Sequence, residues 1–88
     1  MTVNFYGNIK KHTNGEGTYV PVNKTHSTLR DVLDELNVHF GDSFASFISD
    51  NEACLFLVNG KGIKHTGGLD TPVCNGDIIN ILPFVEAG

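Results

Sequence analysis

The spacing of apolar residues between Thr28 and Gly41 constrains this chain more than any other feature. Leu29, Val32, Leu33, Leu36 and Phe40 recur at i, i+3, i+4, i+7 and i+11, which is the stripe of an amphipathic helix. Thr28 stands at the N-cap with Asp31 three residues on, an acidic variant of the capping box that also sets a negative charge at the positive helix end. Arg30, Asp34, Glu35 and Asn37 take the other face, and Gly41 suits the position just past the helix end. A helix that is apolar on one side must cover something apolar. In 88 residues there is room for one domain and one core, so the rest of the chain has to supply the surface that this helix covers.

The flanking segments read as short strands. Thr2 to Tyr6 alternates, with Val3 and Phe5 on one face, and Gly7 ends it. Lys10 to Gly17 is polar and contains the turn dipeptide Asn14-Gly15. Thr18 to Asn23 reads as a second strand, and because Pro21 cannot donate to a ladder it is expected to lie at an edge or to have that position facing solvent. After the helix, Phe44, Phe47 and Ile48 suggest a short helical turn within Ser43 to Ile48. Cys54 to Val58 is a continuous apolar run, the pattern of a central strand buried on both faces. Asn59-Gly60 turns the chain, and Lys61-Gly62-Ile63 is expected to add a very short strand. A glycine-containing loop through Pro72 and a turn at Asn75-Gly76-Asp77 lead to a last strand, Ile78 to Leu82. Pro83 closes it and leaves Phe84-Val85-Glu86-Ala87-Gly88 as a tail that no later element ties down. This order lacks the strand–helix alternation of a parallel α/β sheet. It predicts an α+β fold, a mixed sheet of four to five strands over one main helix, with a domain at 1–82 and a tail at 83–88.

Composition removes several functions. Net charge is −4, and Lys10-Lys11-His12 is too short a cluster to neutralise a phosphate backbone, so nucleic acid is not an expected partner. No apolar run approaches the ~20 residues of a membrane span. Met1-Thr2-Val3-Asn4 runs directly into the strand pattern without signal-peptide character, so a cytoplasmic protein with reduced thiols is expected. Cys54 and Cys74 lie in or beside apolar segments and are read as small buried hydrophobes. His12, His26, His39 and His65 are scattered, which argues against a zinc site. No Ser/His/Asp or Cys/His pair stands in a recognisable context, Gly60-Lys61-Gly62 does not make a phosphate-binding loop, and Asp70 and Asp77 are expected to serve turns. Catalysis by this chain is therefore not expected.

Four segments in order resemble one family. Thr28-Leu29-Arg30-Asp31-Val32-Leu33-Asp34-Glu35-Leu36 is similar to a helix that opens T-L-x-E-L-L-x-x-L, and Leu55 to Lys61 resembles a valine–asparagine–glycine strand-turn. Leu69 to Val73 followed by Asn75-Gly76-Asp77 resembles L-x-T-x-L-x-D-G-D. Ile78 to Val85 resembles a final strand that usually continues P-P-V-x-G-G. Together they resemble the MoaD- and ThiS-like sulfur carriers of the β-grasp (ubiquitin-like) fold, from Val3 to Gly88, and the final strand is closer to MoaD, the small subunit of molybdopterin synthase.

The resemblance implies a protein cosubstrate that binds no cofactor. An E1-like adenylating enzyme (MoeB/ThiF-like) would use ATP and magnesium to adenylate the Gly88 carboxylate, and sulfur would then replace the adenylate to give a thiocarboxylate. The implied acceptor is a pterin precursor, a thiazole precursor or another acceptor, and the leading expectation is a pterin precursor held by a molybdopterin synthase large subunit (MoaE-like). A bare glycine end suits a narrow channel because it has no Cβ and wide φ/ψ freedom. The implied partner contacts are Phe84, Val85, Glu86 and Ala87 in the tail, with Phe56, Leu57 and Phe5 on the sheet face. Two positions depart from the pattern: Phe84 stands where a second proline is common, and Ala87 where glycine is usual. The reading from another class is a β-grasp binding module or small regulatory subunit that acts through its sheet face without carrying sulfur.

Overall fold

The structure, a computed structural model, describes residues 1–22, 25–49 and 54–83. It contains strands β1 (Thr2–Phe5), β2 (Thr18–Tyr19), β3 (Cys54–Val58), β4 (Lys61–Gly62) and β5 (Ile78–Pro83), and helices α1 (Leu29–Phe40) and α2 (Asp42–Ser49). The strands form one mixed sheet in the order β2-β1-β5-β3-β4. β5 enters the middle parallel to β1 and antiparallel to β3, while β1–β2 and β3–β4 are antiparallel hairpins. The last of the described strands is thus the central one, with a neighbour on each side.

The helix is built as its sequence dictates. Asp31 donates its backbone N–H to the Thr28 hydroxyl, and its carboxylate accepts from the backbone N–H groups of Thr28 and Ser27. These bonds hold the Asp31 carboxyl below the usual carboxylate range, the Ser27 and Thr28 amides being the main causes. Leu29, Val32, Leu33 and Leu36 are buried against Val3, Phe5, Phe56, Val58, Ile79 and Ile81 of the sheet. At one end Phe5 meets Phe40 and Phe44 edge-on, at 5.5 and 5.9 Å between ring centroids.

Several local expectations need correction. Ser43 to Ile48 is the body of a full second helix, Asp42–Ser49, which buries Phe44 and Ile48. The polar segment after β1 is a 3-10 helix, Gly7–His12, rather than an open loop, because Ile9 plugs the end of the core. β2 stops at Tyr19: Pro21 follows, and the Val22 backbone N–H donates to the Glu35 carboxylate at 2.9 Å, drawing the chain toward α1. β3 is not buried on both faces. Cys54, Phe56 and Val58 face the core, whereas Leu55 and Leu57 are half-buried on the opposite side, where no described element covers them. Cys74 is exposed and only Cys54 is buried; Cys74 sits in the turn before β5, where its backbone N–H donates to Asp77. The turn at Asn59-Gly60 is as expected, with φ of 52° and 84° suiting a tight β3–β4 hairpin.

Candidate functional site

The sheet has one covered face and one open face, and the alternation of each strand decides which residues lie on which. Opposite the core face, Asn4 pairs in register with Thr18 on one side and Asn80 on the other. Asn80 lies opposite Leu57, and Leu82 opposite Leu55. A polar ladder crosses the middle of this face. The Thr18 hydroxyl donates to Asn4 Oδ1 at 3.1 Å, Asn4 Nδ2 donates to Asn80 Oδ1 at 3.0 Å, and the Tyr6 hydroxyl reaches the same Asn80 oxygen at 3.4 Å. Leu55, Leu57 and Leu82 stand beside it half-buried, with Ile78 48% exposed and Tyr6 43% exposed. No charged side chain projects here from β1, β2, β3 or β5. In a protein of net charge −4, an uncharged apolar face around a hydrogen-bonded polar ladder has the composition of an interface core.

β5 runs through this face and ends at Pro83, in register with Cys54 of β3. On its other side the Tyr6 N–H donates to the Ile81 carbonyl at 3.1 Å, continuing the β1 pairing beyond the strand. The turn that feeds β5 is equally well held. Asn59 Nδ2 donates to the Asp77 carboxylate at 3.0 Å, Asn59 Oδ1 accepts from the Ile78 N–H at 2.9 Å, and Asp77 also accepts from the Cys74 N–H at 2.8 Å. The Asn59 hydrogen bond, then that of Cys74, lowers the Asp77 carboxyl below its ordinary range. Asp77 therefore serves the turn, as its sequence context predicts.

The structure separates the sequence-predicted contacts. Leu57 lies on the open face, but Phe56 is 6% exposed and Phe5 only 1%, both in the core. Their strand neighbours face the other way, so neither ring belongs to a docking surface. Phe84, Val85, Glu86, Ala87 and Gly88 lie outside the described residues. No sequence motif singles out Asn4, Asn80 or Tyr6. The period-2 pattern of β1 and β5 sets Asn4 and Asn80 opposite the core, and only the register of the two strands brings them together.

Two other clusters serve the fold. Glu35 accepts from the Tyr19 hydroxyl at 2.7 Å, from Val22 N–H at 2.9 Å and from His26 Nε2 at 2.7 Å. The Tyr19 phenol is pushed up to about 12, first by burial and then by Glu35. A groove of ≈ 560 Å³ lies alongside, lined by Val22, His26, Asp34 and Val38 among others. This network ties the β2–α1 connection to the helix. His12 hydrogen-bonds Ser43 and stacks on Phe47, joining the 3-10 turn to α2. Among the described residues, no group of three or more His, Cys, Asp or Glu could hold a metal ion, and no helix is long and apolar enough to cross a membrane.

The ThiS family matches residues 3–88 of the chain. Among solved structures, a chain of the Amycolatopsis orientalis BexX/CysO complex is 26% identical, with 99% of this chain and 98% of that one covered and a TM-score of 0.79. CysO of Mycobacterium tuberculosis, described as an antigen, is 24% identical over 96% and 98% of the two chains, with a TM-score of 0.77. Small archaeal modifier protein 1 of Methanosarcina acetivorans is 23% identical over 99% and 94%, with a TM-score of 0.75. These neighbours share the β-grasp fold. A search of curated proteins found no match.

Proposed function

Since the chain belongs to the ThiS family, which it matches through Gly88, we propose that it is a sulfur carrier whose reacting group is the Gly88 carboxylate. The observation that carries this reading is the position of β5: the central strand, flanked by the uncharged open face, ends five residues before Gly88. Five extended residues span at most about 17 Å. An enzyme that acts on Gly88 must therefore bring its active site close to Pro83, beside which Leu82 and its register partner Leu55 lie on the open face. Leu55 and Leu82 supply apolar docking area there, Leu57 and Ile78 extend it along the same face, and the Asn4–Asn80 ladder has no unpaired charge to desolvate.

In this reading the partner is an E1-like adenylating enzyme. The Gly88 carboxylate oxygen attacks the α-phosphorus of ATP and pyrophosphate leaves, with magnesium in the partner's site offsetting the phosphate charge. A sulfur nucleophile then attacks the acyl carbon and expels AMP, leaving the thiocarboxylate. The chain itself is a protein substrate. The channel that receives it accommodates the methyl of Ala87 where the family pattern has glycine. Among acceptors we favour a pterin precursor in molybdenum or tungsten cofactor synthesis, on the likeness of Ile78 to Val85 to a MoaD final strand, and we place the reaction in the cytoplasm.

Incubating the full chain with an adenylating enzyme, ATP, magnesium and sulfide should shift its intact mass by one sulfur-for-oxygen exchange. Deleting Ala87 and Gly88 should abolish that shift and leave docking intact. If the truncated chain still supports every sulfur-dependent reaction of the cell, the protein is instead a binding module that works through its sheet face.

A further inference from the structure

Asn14, Asn59 and Asn75 each precede a glycine, and each pair lies in a turn. A carboxamide in this position is open to attack from its own chain: the next backbone nitrogen can reach Cγ, because glycine puts no side chain in the way. All three asparagines are exposed, and a Cβ built on Gly15, Gly60 or Gly76 would meet nothing within 4 Å. Neither exposure nor crowding therefore separates the three sites. Hydrogen bonding does. The Asn59 carboxamide is held at both ends, by the Asp77 carboxylate at 3.0 Å and by the Ile78 N–H at 2.9 Å. At Asn14 it is the nucleophile that is held, since the Gly15 N–H donates to the Lys10 carbonyl at 2.9 Å. The third site has neither restraint. Among the described residues, the Asn75 carboxamide and the Gly76 N–H have no hydrogen-bond partner. Their turn is closed from outside the pair, by the Asp77 N–H on the Cys74 carbonyl at 3.1 Å and the Cys74 N–H on the Asp77 carboxylate at 2.8 Å.

We infer that Asn75 is a self-modification site, at which the folded chain deamidates ahead of its other two Asn-Gly pairs. The co-reactant is water. The Gly76 nitrogen gives its proton to solvent hydroxide and attacks Asn75 Cγ. A new N–C bond forms, the Cγ–Nδ2 bond breaks, and Nδ2 leaves as ammonia with a proton from water. The cyclic imide then takes up one water molecule, and nothing is oxidised or reduced. Opening at Cγ gives aspartate, and opening at the main-chain carbonyl gives isoaspartate, whose backbone runs through the former side chain. Either product carries one more negative charge, two residues from Asp77. Isoaspartate also adds a methylene to the main chain of the turn that delivers the central strand β5. None of this depends on the carrier reading, because the turn lies at the start of β5 and Gly88 follows its end.

Each pair falls on its own tryptic peptide, 12–24, 31–61 and 65–88, so mass spectrometry of digests reads the three rates separately. The full chain is incubated folded at mildly alkaline pH, and the gain of about 1 Da at each asparagine is followed with time. Asn75 should convert at least about tenfold faster than Asn59 and about fivefold faster than Asn14, the order of effect expected when one or two hydrogen bonds must first break. In urea those bonds are gone, and the three rates should agree within about threefold. Asn75→Gln, whose longer side chain closes a ring far more slowly, should remove most of the acidic species that first appears on anion exchange. Equal native rates at Asn75 and either other site would overturn the assignment. So would a folded chain that converts at no site while the unfolded chain converts at all three, or an unfolded chain that keeps the native ranking by the same factors. A first acidic species undiminished in Asn75→Gln would overturn it as well.

Discussion

The two faces of the sheet are made by the same strands and differ in almost every physical respect. On the core face, Val3, Phe5, Ile79 and Ile81 have lost essentially all solvent contact under α1 and α2. On the open face, Asn4 donates to Asn80 while Leu55, Leu57 and Leu82 remain half-exposed. Each fully buried large apolar side chain stabilises the fold by roughly 1.5–3 kcal/mol. The open face contributes far less, because its apolar area has not left water. What it retains is the capacity to leave water later, against a partner. The lesson is that residues one position apart in β3 and β5 meet different surroundings, the core on one side and, in the proposed reading, a partner on the other.

The largest expected effect tests the core side. Phe5→Ala removes a ring packed on Phe40 and Phe44 and should destabilise the protein by about 3–5 kcal/mol in urea denaturation; a cost below ~1 kcal/mol would mean that the two faces do not differ as described. Leu57 adjoins Phe56 in β3 but faces the opposite way, so Leu57→Asp should move stability by less than ~1 kcal/mol. Its docking to an adenylating enzyme, measured by titration calorimetry, should weaken at least about tenfold through an unpaired charge in an apolar contact. Should Leu57→Asp unfold the chain and leave docking untouched, the assignment of faces would be reversed.

Smaller effects sharpen the same contrast. Cys54→Ser places a hydroxyl in the core and should cost about 1–3 kcal/mol, whereas Cys74→Ser, at an exposed turn, should be nearly silent. Correspondingly, a thiol reagent should label Cys74 in the native protein and Cys54 only on unfolding. The acid limb of stability depends on carboxylates away from the core. Asp31 and Asp77 both have carboxyls lowered in the folded state, by the amides of Ser27 and Thr28 and by Asn59 with Cys74. A lowered folded value means that their contribution is complete above the unfolded pKa of about 4 and is lost as pH falls through the folded values. Stability should therefore decline below about pH 4, and Asp31→Asn or Asp77→Asn should flatten that decline in a pH series of denaturation curves.

Much of the fold is legible in the amino-acid sequence. The α1 stripe and its Thr28–Asp31 cap are readable because helix periodicity and capping are local, and the Asn59-Gly60 turn because its backbone demand is local too. Ile9 escapes such a reading because a single apolar residue in a polar segment carries no period; it is buried only because the 3-10 turn closes the end of the sheet. Cys54 to Val58 reads as buried on both sides because a continuous apolar run looks the same whether its second face meets a helix or a partner. That ambiguity also puts Phe56 among the expected docking residues, although its ring lies in the core.

The sequence by itself therefore determined α1 with its cap, the Asn59-Gly60 turn and the order of the strands, since each of these depends on neighbours within a few residues. Which strand is central and which face stays open were decided only by the tertiary structure. Those facts depend on register among β1, β3 and β5, strands far apart in the chain, whose meeting no local pattern encodes.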